Sequence, residues 1–247
     1  VVALQTLGVR LILIHGGGKP IDRAMTAAGL EPRKVAGRRY TDEATLEIVV
    51  QVLGEINTGI VSQIRELGAG ATGYDGDRTD LHKFPIRGDQ LMLSGTDGQR
   101  IDLGRVGRVV EVDRSQLEEV LEEGRIPVIP SIAFGVDGDW LNVNADTAAS
   151  AVAGALKAEA CYFLTDTPGV LRDIREPGSL LPRLTTSECR QLIADGVIAG
   201  GMIPKVEACF EALDAGARRA VILDGRDPYA LLGEFVSDRV AGTEIVN

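Results

Sequence analysis

Four short apolar runs rich in β-branched residues set the limits on what this chain can fold into. They are Leu11 to His15, Pro127 to Ala133, Cys161 to Thr165 and Ala220 to Leu223. A strand with one wet face alternates apolar and polar residues, whereas a strand covered on both faces reads as a continuous apolar run. Amphipathic stretches of helical period lie between these runs, at Pro20 to Ala28, Asp42 to Leu67, Ser115 to Glu123, Asp146 to Lys157, Ser187 to Ala194 and Pro204 to Ala215. Such alternation predicts an α/β sandwich on a mostly parallel sheet. Thr185 and Glu188 have the spacing of a capping box, and Pro20 and Pro204 suit a first helical turn. Gly70 to Asp113 breaks the rhythm: it is rich in Gly, Asp and Arg, then alternates through Arg105 to Val112. Hairpins on an edge, forming a flap over a site, are expected there. No repeat or linker interrupts the chain, so residues 1–247 are expected to form a single domain.

The formal net charge of −10 argues against nucleic acid or an anionic membrane as partner. Any anionic substrate must then be met by local cations. Cys161, Cys189 and Cys209 include no CxxC pair, and Cys161 and Cys209 sit in apolar patterns. Reduced core thiols and a cytoplasmic location follow as expectations. No apolar run approaches the ~18 residues of a membrane helix, and no charged-then-apolar leader opens the chain. The chain begins at Val1, inside a helical pattern, and reads as lacking an upstream segment.

Three segments concentrate the chemistry. His15-Gly-Gly-Gly-Lys-Pro20 follows the first apolar run and opens a helix. Glycines there let a ligand approach the backbone, and unpaired N–H groups at a helix start attract anions. The spacing is neither a Walker loop nor a dinucleotide fingerprint, and a plain strand-to-helix turn is the other reading. His15 is taken as a structural residue that fixes the loop, and His82 has no role. In the second segment, Trp140 to Asn144, strand alternation puts Asn142 and Asn144 on one face just before Asp146. Asp146 is either a helix cap or a site carboxylate. The third, Gly200-Gly-Met-Ile-Pro-Lys205, puts Lys205 in a first helical turn, where the dipole disfavours a cation by ~0.3–1 kcal/mol. A bound phosphate reverses that conflict. Arg38 and Arg39 precede a helix whose cap is expected to be Thr41; they are surface charges or a carboxylate fork. Asp166 and the Pro168-Gly169 turn end another apolar run.

Taken in order, these segments resemble the amino-acid kinase family, on its acetylglutamate kinase branch. The resemblance rests on HGGG at His15 to Gly18, GRRYTD at Gly37 to Asp42, DLGRVG at Asp102 to Gly107 and PVIPSIA at Pro127 to Ala133. LNVNAD at Leu141 to Asp146, TDTPGVL at Thr165 to Leu171, GGMIPK at Gly200 to Lys205 and GTEI at Gly242 to Ile245 complete it. It implies a three-layer α/β/α sandwich that phosphorylates the side-chain carboxylate of N-acetyl-L-glutamate with ATP and Mg²⁺, in the second step of arginine biosynthesis. By motif position, Gly17, Gly18, Arg39 and Asn142 would hold the acceptor. Lys205 would stabilise the moving phosphoryl group and Asp146 would organise the catalytic lysines. Asp166, Gly169, Val170, Leu171, Val197, Ile198 and Ala199 would border the nucleotide, with the nucleotide part running from about residue 160. A homodimer is implied, with a hexamer as the other family assembly. The family's first strand, ending in Lys-x-Gly-Gly, has no counterpart before His15 and is expected to be missing. Two other readings stand beside this one: a kinase of carrier-linked aminoadipate, and an acetylglutamate-binding protein of impaired activity.

Overall fold

The computed structural model describes residues 1–35, 37–75, 83–94, 98–236 and 241–247. His82 lies outside them. The chain packs as two compact units, Val1–Ala148 and Ala149–Asn247.

The first unit runs α1 (Val2–Thr6), β1 (Leu13–His15), α2 (Gly18–Ala27), β2 (Lys34–Val35), β3 (Arg38–Arg39), α3 (Glu43–Glu66), β4 (Gly70–Gly73) and β5 (Ile86–Gln90). It continues through β6 (Leu93–Ser94), β7 (Arg100–Ile101), β8 (Gly107–Val112), α4 (Arg114–Glu122), β9 (Arg125–Pro130), β10 (Ile132–Gly135) and β11 (Trp140–Asn142). Helix α5 (Ala145–Ala155) crosses into the second unit. A parallel sheet of order β1-β9-β4 pairs Leu13 with Val128 and Ala71 with Ile126. Val61 and Ile64 of α3 pack on Ala71, Ile126 and Val128. Fully burying such a side chain is worth ~1.5–3 kcal/mol.

Helix α3 is the one described helix long and apolar enough to cross a membrane by length and composition. Its apolar content is spent inside the unit: Leu46, Val49, Val52, Leu53, Val61 and Ile64 are buried, while Glu47, Gln51 and Glu55 face outward. The run Pro127 to Ala133, expected as one strand, is two. The chain changes sheets at Ser131, whose N–H donates to the His15 carbonyl at 2.9 Å. From there β10 enters a second sheet of order β11-β10-β5-β8. The expected edge hairpins are found in part: β5 and β8 pair antiparallel, with β8 at the sheet edge. Gly70–Gly73 is a parallel strand beside β9, and Ile86–Gln90 lies between β10 and β8 inside a sheet. The paired β6 and β7 remain a hairpin.

The second unit contains β12 (Cys161–Thr165), β13 (Arg183–Thr185), α6 (Thr186–Ala194), α7 (Met202–Asp214), β14 (Ala220–Asp224), α8 (Ala230–Val236) and β15 (Thr243–Val246), with strand order β12-β14-β15-β13. Strand β14 explains its own composition. Ala220 and Ile222 pack into the cluster of Cys189, Val206, Cys209 and Ala212 from α6 and α7. Val221 and Leu223 pack on the opposite face against Ala230 and Leu231 of α8. With helices on both faces, a strand has no polar side to show. The capping box at Thr185 and Glu188 is present. Cys161, Cys189 and Cys209 are all buried and none is in a disulfide, and burial pushes the Cys189 thiol up to about 11.

Candidate active site

The candidate residues fall into one set in each unit. In the first unit, β1 ends at His15 and the chain turns through Gly16 and Gly17 into α2. Gly17 is the N-cap and offers no capping side chain. A Cβ there would press on Leu53 at 3.0 Å and Ile56 at 3.1 Å, so glycine is what lets this turn sit on α3. At Gly18 the same position opens on free space. The turn therefore keeps its core side closed and its Gly18 side accessible. It lies at the start of α2, where Gly18 and Lys19 precede the first intrahelical bond, Ile21 N to the Gly17 carbonyl.

His15 has the structural role expected of it. Its Nε2 lies 3.1 Å from Asn57 Nδ2, and that same amide donates to the Val128 carbonyl at 2.8 Å. Burial lowers the His15 pKa. A neutral imidazole folded and a titrating one unfolded give a defined sign: stability is full above the ordinary value of 6.5 and falls as pH drops through it toward the lower folded value. Melting temperature is thus expected to decline from pH 7.5 to 5.5, and His15→Gln is expected to flatten that slope. An equal slope in the variant would assign the loss elsewhere.

Arg39 is not a surface charge. Its side chain is 11% exposed, with Nη1 2.5 Å from Asp22 Oδ1 and Nη2 donating to the Gly18 carbonyl at 3.2 Å. The cap of α3 is Asp42, whose carboxylate accepts from Thr45 N at 2.8 Å. Thr41 is thereby released from capping. Fully buried, it donates to the Arg39 carbonyl at 3.0 Å and accepts from Asn142 Nδ2 at 3.0 Å. Gly104, at φ +69°, brings its backbone so close to the Thr41 carbonyl that a Cβ would collide with it. Arg105 N then donates to that carbonyl, and its own carbonyl accepts from Asn142 N. The structure thus joins Gly18, Arg39 and Asn142 through Thr41. Asn144 serves the next helix instead, where its Oδ1 accepts from Thr147 N at 3.0 Å and caps α5. Asp146 lies in the first turn of that helix and is not its cap.

In the second unit a cleft of about 400 Å³ is lined by Gly169, Val170 and Leu171 on one wall and by Val197, Ile198 and Ala199 on another. The first three belong to the TDTPGVL motif, and the other three to the stretch that the family resemblance places beside the nucleotide. Asp166 is exposed and does not line the cleft, whereas its neighbour Thr167 does. Gly169 holds φ at +138°, a region side chains rarely occupy. Met202, the first residue of α7, also lines it, as do Arg172, Asp173, Arg175 and Asp195. Before it, Gly200 takes φ +55° and Gly201 caps the helix without a side-chain bond. Lys205 follows in the first turn of α7, partly exposed.

Glycine-led helix starts, a largely buried arginine fork and a cleft of mixed apolar and charged lining are features that a phosphotransferase of the α/β class can use. The chain belongs to the amino acid kinase family, whose sequence model matches residues 1–224. It is similar to the acetylglutamate kinase of Synechococcus sp., 43% identical over 247 residues that cover all of this chain and 78% of the relative. The acetylglutamate kinase of Sinorhizobium medicae is 45% identical over 252 positions, covering 100% of this chain and 83% of its own length. Among solved structures, the smu.665 protein of Streptococcus mutans UA159 shares the α/β sandwich with a TM-score of 0.78 and 29% identity, over 98% of this chain and 88% of that one.

Proposed function

We infer that the protein is an acetylglutamate kinase, which transfers the terminal phosphoryl group of ATP to the side-chain carboxylate of N-acetyl-L-glutamate in arginine biosynthesis. The observation that carries this reading is the similarity to acetylglutamate kinases along the whole chain. The first unit takes the acceptor: the Gly17 and Gly18 amides and Asn142 hold it, and Arg39 receives its α-carboxylate. The second unit takes the nucleotide, in the cleft between Gly169–Leu171 and Val197–Ala199, with Asp166 at its approach. Lys205 meets the moving phosphoryl group, and Asp146 orients the charged groups around it.

The acceptor carboxylate has a reference pKa of ~4.3 and is ionised at neutral pH, so the reaction needs no base. Its difficulty is electrostatic, since an anion must approach a polyphosphate. Positioned cations and N–H donors supply the stabilisation. Among the described residues no group of three or more His, Cys, Asp or Glu forms a metal cage. A Mg²⁺ that accompanies ATP would be held through the phosphates and would offset their charge. A homodimer in the cytoplasm is the proposed setting, with a hexamer as the second assembly, and three buried thiols outside any disulfide suit a reducing compartment.

A coupled ADP-release assay with MgATP tests the reading. ADP release that depends on N-acetyl-L-glutamate is expected. Release with a different acylated acidic amino acid, or acetylglutamate binding without turnover, would overturn it.

A further inference from the structure

The terminal Gly242-Thr-Glu-Ile245 segment, conspicuous in the sequence, lies beyond the stretch matched by the family model and contributes no residue to the acceptor set or to the cleft lining. Its geometry nonetheless ties it to the cleft. Thr243 is fully buried at the start of β15. Its Oγ1 accepts from Val170 N at 2.8 Å and donates to the Leu181 carbonyl at 2.7 Å. Those two residues are themselves bonded, Leu181 N to the Val170 carbonyl at 2.9 Å, and Leu171 bridges Leu180. The hydroxyl therefore bolts together both arms of the loop whose near arm, Gly169–Leu171, forms a wall of the cleft.

The fit is tight on every side. A Cβ on Gly169 would lie 2.7 Å from Thr243 Oγ1 and 3.0 Å from Thr243 N. One on Gly242 would collide with the Ile222 carbonyl. The next residue continues the attachment, with Glu244 N donating to the Pro182 carbonyl at 2.9 Å. A bond accepted from a buried N–H and one donated to a carbonyl use the hydroxyl's donor and one of its acceptor sites. No methyl group can replace either bond: the buried Val170 N–H and the part-buried Leu181 C=O would both lose their Thr243 partner.

We propose that Thr243 is a positioning residue for the nucleotide: its hydroxyl holds the Gly169–Leu171 wall at the spacing that the bound nucleotide requires. This inference rests on the assignment of the cleft to ATP. It touches neither the acceptor set nor the moving phosphoryl group, so its signature is confined to nucleotide affinity.

The test compares wild type, Thr243→Ala and Thr243→Ser by peptide-resolved hydrogen exchange and by calorimetric titration with MgATP. Alanine removes the hydroxyl without adding bulk, and serine retains it. The expected result for Thr243→Ala is exchange at least ~10-fold faster across 167–174 and 179–182, with α3 and β9 unchanged, and MgATP affinity ~5–20-fold weaker. Serine is expected to restore both. Faster exchange with undiminished MgATP affinity would overturn the positioning role, as would unchanged exchange, or a serine variant that behaves like alanine. Wild type that fails to bind MgATP would overturn the assignment of the cleft and this inference with it. If Thr243→Ala does not fold, Thr243→Val serves as the second variant under the same criteria. Should neither fold while serine keeps wild-type exchange and affinity, the hydroxyl is a general fold element and the proposal is refuted.

Discussion

Lys205→Ala is expected to lower kcat by about 10²–10³-fold, the usual cost of removing one electrostatic stabiliser of a transition state. The reason lies in the helix that carries it. Gly200 and Gly201 lead into α7 without a side-chain cap. Met202 N and Ile203 N donate to the Ala199 and Gly200 carbonyls and Pro204 has no N–H, so what this helix start offers an anion is the positive end of its dipole. Lys205 adds a full charge at the same end. Two like potentials at one place make sense when a polyanion arrives, and the charge that builds during transfer benefits most. KM for MgATP is therefore expected to change by less than kcat. Steady-state kinetics, with each substrate varied separately, would separate the two effects. A large rise in KM for MgATP at unchanged kcat would move Lys205 from the transition state to ground-state binding and defeat its catalytic role.

The second large effect concerns Arg39. Arg39→Ala is expected to raise KM for N-acetyl-L-glutamate by about 100-fold, equivalent to ~2.7 kcal/mol, and to leave KM for MgATP within about twofold. The fork is already oriented, by Asp22 at 2.5 Å and by the Gly18 carbonyl at 3.2 Å. Little side-chain entropy remains to be lost when a carboxylate binds, which is why so much affinity should go with it. Arg39→Lys is not expected to rescue, because an ammonium cannot offer two parallel N–H donors in a plane. Equal KM values for wild type and Arg39→Ala would remove Arg39 from the acceptor site.

Much of this architecture is legible in the residues because burial leaves a compositional mark. Strand β14 reads as continuous apolar sequence since Ala220 and Ile222 meet α6 and α7 while Val221 and Leu223 meet α8. The mark fails where hydrogen-bond partners change and hydrophobicity does not, as at Ser131, where one apolar run serves two sheets. It fails also at Gly70–Gly73, whose glycines carry no period. Their necessity lies in neighbours: a Cβ on Gly73 would sit 2.5 Å from Asn57 Oδ1. In the site, Gly169 to Leu171 are within reach of motif reading, Val197 to Ala199 only through the family resemblance, and the Gly18–Arg39 bond through neither. The caps are not. Thr41 and Asp42 are both good cap residues, as are Asn144 and Asp146, and backbone geometry alone selects Asp42 and Asn144. That selection releases Thr41 to join Arg39 and Asn142, a link with no signal in local sequence. Thr243 is visible only as part of a motif, because its partners lie more than sixty positions away.

The pairing of Leu13 with Val128 has a further consequence during synthesis. On a ribosome adding ~5–20 residues per second, β1 emerges on the order of ten seconds before its partner β9. Through that interval the strand that leads into the glycine turn lacks its β9 neighbour, and the apolar residues that β9 covers face water or a chaperone. Closure of this sheet is a long-range event, slow by its topology. Substitutions in Leu11 to His15 that raise strand hydrophobicity would therefore be felt first as lost yield of the nascent protein, before any effect on the finished fold.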